Sequence, residues 1–394
     1  MLEDRVTPAG QLSIDNLLDN GGINPAPFAG TGTLRQAIID ANALSGAQTI
    51  VTANGVFGII NLASSLPTLK ANITITAPRG GLIISGGLRI QDFVVGAGAF
   101  CTFNKLQIWN GDVSVIGKNG GGIDNEGTLT LNDCEFLQNK ALKGGAIFNN
   151  GSLTVSNSKI EVNTATFAGG GIYSTSLGTL TIGGHTTLMG NEAASPLFVG
   201  IGGGIFTQSE TSIDSSDLNQ NEAGSAGAGF YAFDANIQIT NTVIWGSKYA
   251  AAGGAIFLTG GSTLRLSNST IDENQATEGA GIYVGNGSSL NAINDTISSN
   301  GIGIGRTGGG VLVDGTSGAE FANTIIAYNQ ASDGPDVSGN VQSWFCNLVT
   351  DPTGSVGFDD GDILFQDPDL GELQDNGGNT LTRMPQPASP AIDA

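Results

Sequence analysis

Between Gly120 and Leu312 the apolar positions return in blocks of fixed order. Each unit opens on a Gly/Ala-rich signature, written GGGID, GGAIF, GGGIY, GGGIF, GAGFY, GGAIF, GAGIY and GGGVL. Its shared apolar member falls at Ile123, Ile147, Ile172, Ile205, Phe230, Ile256, Ile282 and Val311. Successive separations of 24, 25, 33, 25, 26, 26 and 29 residues lie in the range where repeats stack as a solenoid. A second block alternates apolar with polar residues at Leu129 and Leu131, Leu153 and Val155, Leu180 and Ile182, Ile237 and Ile239, Leu264 and Leu266. That period of two marks strands with one buried face. A third short block centres on Phe136, Ile160, Leu188, Leu218, Ile244, Ile271, Ile297 and Ile326. Three strands and three corners in about 25 residues, stacked about 4.8 Å per turn, predict an all-β right-handed parallel β-helix, a three-sheet solenoid. The hand follows the crossover rule, and the rod is on the order of 55 Å long.

Two polar columns accompany the third block. Three residues after its apolar centre stand Asn139, Asn163, Asn191, Asn221, Ser247, Asn274, Asn300 and Asn329, and three residues before it Asp133, Asn157, Ser215, Asn241, Asn268, Asn294 and Asn323, a column broken only at the His185 rung. Asparagine tolerates left-handed backbone and carries both a donor and an acceptor, so stacked copies turn the corner and bond along the stack. These columns read as structural ladders.

Parallel rungs leave open edges only at the ends. From Thr33 to Leu44, TLRQAIIDANAL puts Leu34, Ala37, Ile38, Ala41 and Leu44 on one stripe, an amphipathic helix suited to covering the first coil. The expected organisation is an extended leader over 1–30, the helix and irregular coils over 31–119, regular repeats over 120–330, and a terminal cap or tail over 331–394, where the periodicity fades.

The net charge of −21, from 35 acidic and 14 basic residues, argues against nucleic acid as a partner, because little here neutralises phosphates. No apolar run reaches the length of a membrane-spanning helix. Cys101, Cys134 and Cys346 have neither disulfide nor metal spacing.

GTLTLNDCEFLQNKALKGGAIFNNGSLTVSNSKIEVNTATFAGGGIY resembles the bacterial right-handed β-helix repeat proteins of the pectin-lyase-like superfamily. GTLRQAIIDANA is similar to their opening segment, DPDLGELQDNGGNTLTRMPQPASPAIDA resembles the segment before a variable surface anchor, and LEDRVTPA resembles a motif of exported proteins. The resemblance implies an extracellular or cell-surface location, and a superfamily that includes polysaccharide lyases and glycosidases.

Such enzymes need paired carboxylates, or a carboxylate-bound calcium with an Arg or Lys base. Glu192 and Glu222 share a column on neighbouring turns, with Asp272 and Glu273 further on, and these are the catalytic candidates. No Lys or Arg of the repeats is expected beside an acidic cluster in its own or the next rung, so the favoured reading is a non-catalytic adhesin, stalk or matrix component. The expected partner is an extracellular polysaccharide or cell-surface glycan, and end-to-end or lateral self-association, as in a filament, is a further alternative. For ligand binding, the column Phe148, Tyr173, Phe206, Tyr231, Phe257 and Tyr283 either lines the outside as an aromatic track or turns inward as core. Phe198 and Arg306 stand on loops that lengthen after the Asn corner. No cofactor is expected, with calcium on Asp359, Asp360 and Asp362 as the alternative.

Overall fold

In the computed structural model, residues 10–22, 27–28, 30–78, 81–194, 200–301 and 306–392 are described. They form a parallel β-helix in which strands one coil apart pair in register, as Ile147–Asn149 does with Ile172–Ser174, Ser152–Ser156 with Thr179–Gly183, and Lys159–Glu161 with Thr187–Met189. The row formed by the third block is a sheet of 13 strands from Gly58–Asn61 to Ile363–Leu364. At about 4.8 Å per rung it spans roughly 58 Å. Inward positions of all three rows, such as Ile147, Leu153 and Ile160, merge into one core along the axis.

The signature's glycines each answer a backbone demand. The first is left-handed, with φ of 62° at Gly144 and 65° at Gly169. A Cβ on the second would stand 2.2 Å from the Gly170 carbonyl oxygen at Gly145, and 2.3 Å from that of Gly203 at Gly170. Glycine meets both conditions in these coils, although Ala228 and Ala280 take the second position in two others.

Helix α1 (Leu34–Ala43) closes the N-terminal end, its first turn capped by the Thr33 hydroxyl, which accepts from the Gln36 N–H. Arg35 in its first turn makes a bidentate pair with Asp19 at 2.6 and 2.7 Å. The coil starts earlier and ends later than the periodicity suggests. Gly10–Ile14 already pairs with Gln48–Thr52, inside the expected leader, and rungs at Val337–Ser343, Leu348–Val349 and Ile363–Leu364 continue the rod beyond 330. A fourth row also emerges where a loop was expected after the Asn corner. Lys140–Lys143, Thr164–Ala168, Glu192–Ala193 and Glu222–Ala223 pair in parallel, as do Ala250–Ala252 and Ala276–Glu278.

The earlier polar column does both jobs expected of it, turning the corner and bonding along the stack, as where Asn323 donates to Asn294 at 2.7 Å. The left-handed residues of the earlier column are its own members, including Asn157 (φ 48°), His185 (64°) and Asn241 (48°). The later column faces the core instead, and the left-handed residue is the one before it: Gln138, Val162, Gly190, Gln220, Gly246, Glu273, Ser299 and Tyr328. Asn139, Asn163 and Asn191 each donate Nδ2–H to the next Oδ1 at 2.9, 2.9 and 3.1 Å, and Asn274 and Asn300 do so at 3.0 and 2.9 Å. The chain ends on a group that only accepts, the Asp336 carboxylate, which takes the Asn329 amide at 2.9 Å.

Candidate functional site

The repeat is broken most sharply at Trp245-Gly246-Ser247-Lys248-Tyr249. Ser247 interrupts the asparagine ladder, and its buried hydroxyl has no hydrogen-bond partner. On the outside, six of the eight left-handed corner positions carry a side chain, while Gly190 and Gly246 carry none. The result is a notch. Gly246 and Gly190 open a cavity of about 510 Å³, also lined by Gln220, Glu222, Trp245, Lys248 and Glu273. Asp217 accepts the Trp245 indole N–H at 3.1 Å and fixes the ring edge.

Glu222 is the hinge between this notch and a second one. Its carboxylate pairs with Lys248 Nζ at 3.6 Å, and on its other side a cavity of about 420 Å³ is lined by Glu192, Ala193, Ala194, Ala223 and Tyr249. The Tyr249 ring is exposed, with Lys248 Nζ 5.1 Å from its centroid. Burial lifts the Glu222 pKa, Lys248 opposes this, and the neighbouring Glu192 adds to the rise. Glu192 and Glu222 are Cα partners on adjacent rungs. The expectation that no base adjoins an acidic cluster is therefore corrected, since Lys248 bridges to Glu222 on the neighbouring rung. Two carboxylates, one ammonium and two aromatic rings at one corner can hydrogen-bond polyols and stack on the apolar face of a sugar ring.

Asp272 and Glu273 do not join them as a catalytic pair. The Asp272 carboxylate is buried, accepts from Arg383 Nε at 3.0 Å and from the Ser298 hydroxyl at 2.8 Å, and has no open lone pair facing solvent. Glu273 pairs with the same arginine at 3.5 Å.

The aromatic column does face outward, opposite the buried Ile column, but it is not an open track. Phe148, Tyr173, Phe206, Tyr231, Phe257 and Tyr283 stack with centroids 5.5, 4.5, 5.3, 5.0 and 4.6 Å apart and planes within 16°. Ring faces at that spacing are spent on one another, leaving edges outside, and Ala168 and Ile201 of the fourth row pack against the stack. Asp124 opens the column, where burial lifts its carboxyl to about 6.

Among the acidic tail candidates, Asp362 has its oxygens engaged. Oδ1 accepts from the Ser343 hydroxyl at 2.7 Å and the Asn347 amide at 3.0 Å, and Oδ2 accepts from the Asp359 N–H at 3.0 Å. Asp359 caps its own turn through the Gly361 N–H at 2.9 Å, and Asp360 is exposed. This set fits a structural cap and does not fit a calcium cage, which needs six or more convergent oxygens. Arg306 is exposed, and Phe198 lies outside the described residues.

Trp245, Gly246, Lys248 and Tyr249 were not among the residues singled out in the sequence. The signal that could have found them is the simultaneous loss of the ladder asparagine and of a corner side chain in one coil.

A family model described as a right handed beta helix region matches residues 198–349, a span that includes the notch. No curated protein matches the chain. Among the described residues no helix is long and apolar enough to cross a membrane.

Proposed function

We propose that this right-handed β-helix protein is a non-catalytic scaffold, displayed outside the cell as an adhesin, stalk or matrix component, and that it holds a glycan in the Trp245 notch. The observation that carries the reading is the concentration of departures in one coil. At Trp245–Tyr249 the ladder asparagine is lost in the same coil that has a bare corner, shared with Gly190, and an outward tryptophan, shared with Trp109, and local rules yield together mainly where a site is built. An indole pinned by Asp217, beside Glu222, Gln220 and Gln275, suits a sugar ring with its hydroxyls in reach of the carboxylate and amides. With a net charge of −21, a neutral glycan is favoured over an acidic one.

A second reading, a glycoside hydrolase, is favoured by one observation. Glu192 and Glu222 are Cα partners on adjacent rungs, a backbone spacing of about 4.8 Å that allows two carboxyls to stand as close as those of retaining glycosidases, and burial raises the Glu222 pKa as a general acid requires.

One screen separates the two. The protein is applied to immobilised neutral and uronic glycans, and the same glycans are then assayed for new reducing ends and unsaturated products. The scaffold reading expects binding without turnover, with Trp245→Ala reducing affinity at least tenfold. Turnover abolished by Glu222→Gln would establish the hydrolase, and retention of full binding by Trp245→Ala would remove the notch from either account.

A further inference from the structure

The outward positions of the third row change character along the rod. Lys159 is exposed and Thr187 and Met189 are half-buried, but Val243, Asp272, Ser298 and Ala327 are 0% exposed although they too point away from the core. The C-terminal hairpin, Leu370–Gln374 paired antiparallel with Thr382–Pro385, lies on this row, where Arg383 meets Asp272. The hairpin is a two-stranded sheet of its own. Among the described residues it shares no backbone hydrogen bond with the coils it covers.

Side chains hold it in three places. At its base the Leu370 N–H donates to the Tyr328 hydroxyl at 3.2 Å. In the middle Arg383 Nη2 meets Asp272 at 3.0 Å and Glu273 at 3.5 Å. At the tip the Asn379 carbonyl meets His185 Nδ1 at 3.3 Å, and its Nδ2 reaches the Ser215 hydroxyl at 3.4 Å. The seal below the tip is incomplete, leaving a cavity of about 230 Å³ lined by His185, Thr187, Asp217, Asp375 and Leu381.

The covered surface is mixed, with polar groups beside Val243 and Ala327. Thr270, Asp272 and Ser298 place two hydroxyls and a carboxylate there, on strands about 4.8 Å apart, and Asp272 is the Cα partner of Trp245 in the adjoining rung. The chemistry of the notch therefore continues beneath the hairpin, and Glu273 belongs to both.

We propose that the C-terminal hairpin is a releasable strap lying on the continuation of the notch, and that its release lengthens the site along the third row to admit a longer glycan chain. The proposal rests on the glycan reading above. A segment tied by side chains alone opens well before the coils it rests on. Release separates Arg383 from a buried carboxylate, which is unfavourable, so short ligands leave the strap in place and only a chain long enough to contact the uncovered hydroxyls displaces it.

The test uses the full chain with Cys346→Ser, Ser215→Cys and Asn379→Cys, so that oxidation ties the tip to the rod. Arg383→Gln with Asp272→Asn is a second variant, removing the ion pair without leaving a lone buried charge. Hydrogen exchange is followed without ligand, and a neutral β-linked disaccharide and hexasaccharide are titrated into each form. The strap predicts that the amides of Leu373 and Arg383 exchange at least a hundredfold faster than that of Ile271 when reduced, faster still in the double variant, and slowly when oxidised. It also predicts that the hexasaccharide outbinds the disaccharide at least tenfold only when the strap is free. Strap amides as slow as Ile271 in the reduced form, or the same affinity ratio in locked and free forms, overturn the strap alone. Failure of both saccharides to bind any form removes the glycan reading and the lengthened site together.

Discussion

At the scale of single residues, Ser247 and Asp295 make the account testable without a ligand. Asn163 and Asn191 each take the N–H of the ladder residue before them on Oδ1, at 3.0 and 3.1 Å, a bond too long for a serine to make for Asn221. Restoring the amide with Ser247→Asn is expected to add about 1 kcal/mol, read as a higher urea midpoint with unchanged slope. Asp295 stands in a second inward ladder, of hydroxyls and amides, where Cys134 donates to Ser158, Ser269 to Asp295 and Thr324 to Asn347 through their backbone N–H groups. Burial pushes its carboxyl up to about 8. The folded state thus keeps a proton that the unfolded chain loses near pH 4, and this residue makes stability fall as pH rises from about 4 to about 8. Asp295→Asn should flatten that slope, raising the melting temperature by several degrees at pH 8 and hardly at all at pH 4. The asparagine ladder was legible because its spacing recurs. The hydroxyl ladder was not, since Cys, Ser, Thr, Asp and Asn fill it in turn and only inward geometry unites them.

At the scale of elements, the aromatic row is a strut. Removing the Phe206 ring, stacked on both faces, should cost about 3 kcal/mol, while Phe148→Ala at the end of the row should cost distinctly less; thermal unfolding of the two variants compares them. The sequence left the direction of this row open because alternation places the Ile and aromatic columns on opposite faces without saying whether the outer face is covered. The cover comes from the fourth row, whose members, such as Lys140–Lys143 and Glu192–Ala193, are too short and too mixed to carry a period. The hairpin was equally hidden. Its partners Asp272 and Arg383 lie 111 residues apart, and nothing local in either segment announces the contact.

For the whole molecule, near-periodic spacing foretold the solenoid, its core and its N-terminal helix. The irregular coils upstream were also foreseen, while those beyond 330 escaped where their rungs, such as Leu348–Val349, shrink below the length at which alternation can be read. The site was only half visible for the opposite reason. Glu192 and Glu222 lie in a column that recurs, whereas Trp245, Gly246 and Tyr249 matter because they coincide with the missing ladder asparagine at Ser247. Gly246→Gln supplies the contrast, since it gives this corner the residue that Gln138 and Gln220 provide on others and should leave stability within about 1 kcal/mol. The most direct measurement is a calorimetric titration of the neutral glycan that gives the strongest signal into the wild-type chain and Gly246→Gln. Saturable one-to-one binding, abolished when the corner is filled although the fold stays intact, is the predicted result. Equal binding by both proteins would contradict the claim that the coil where the repeat breaks is where the ligand sits.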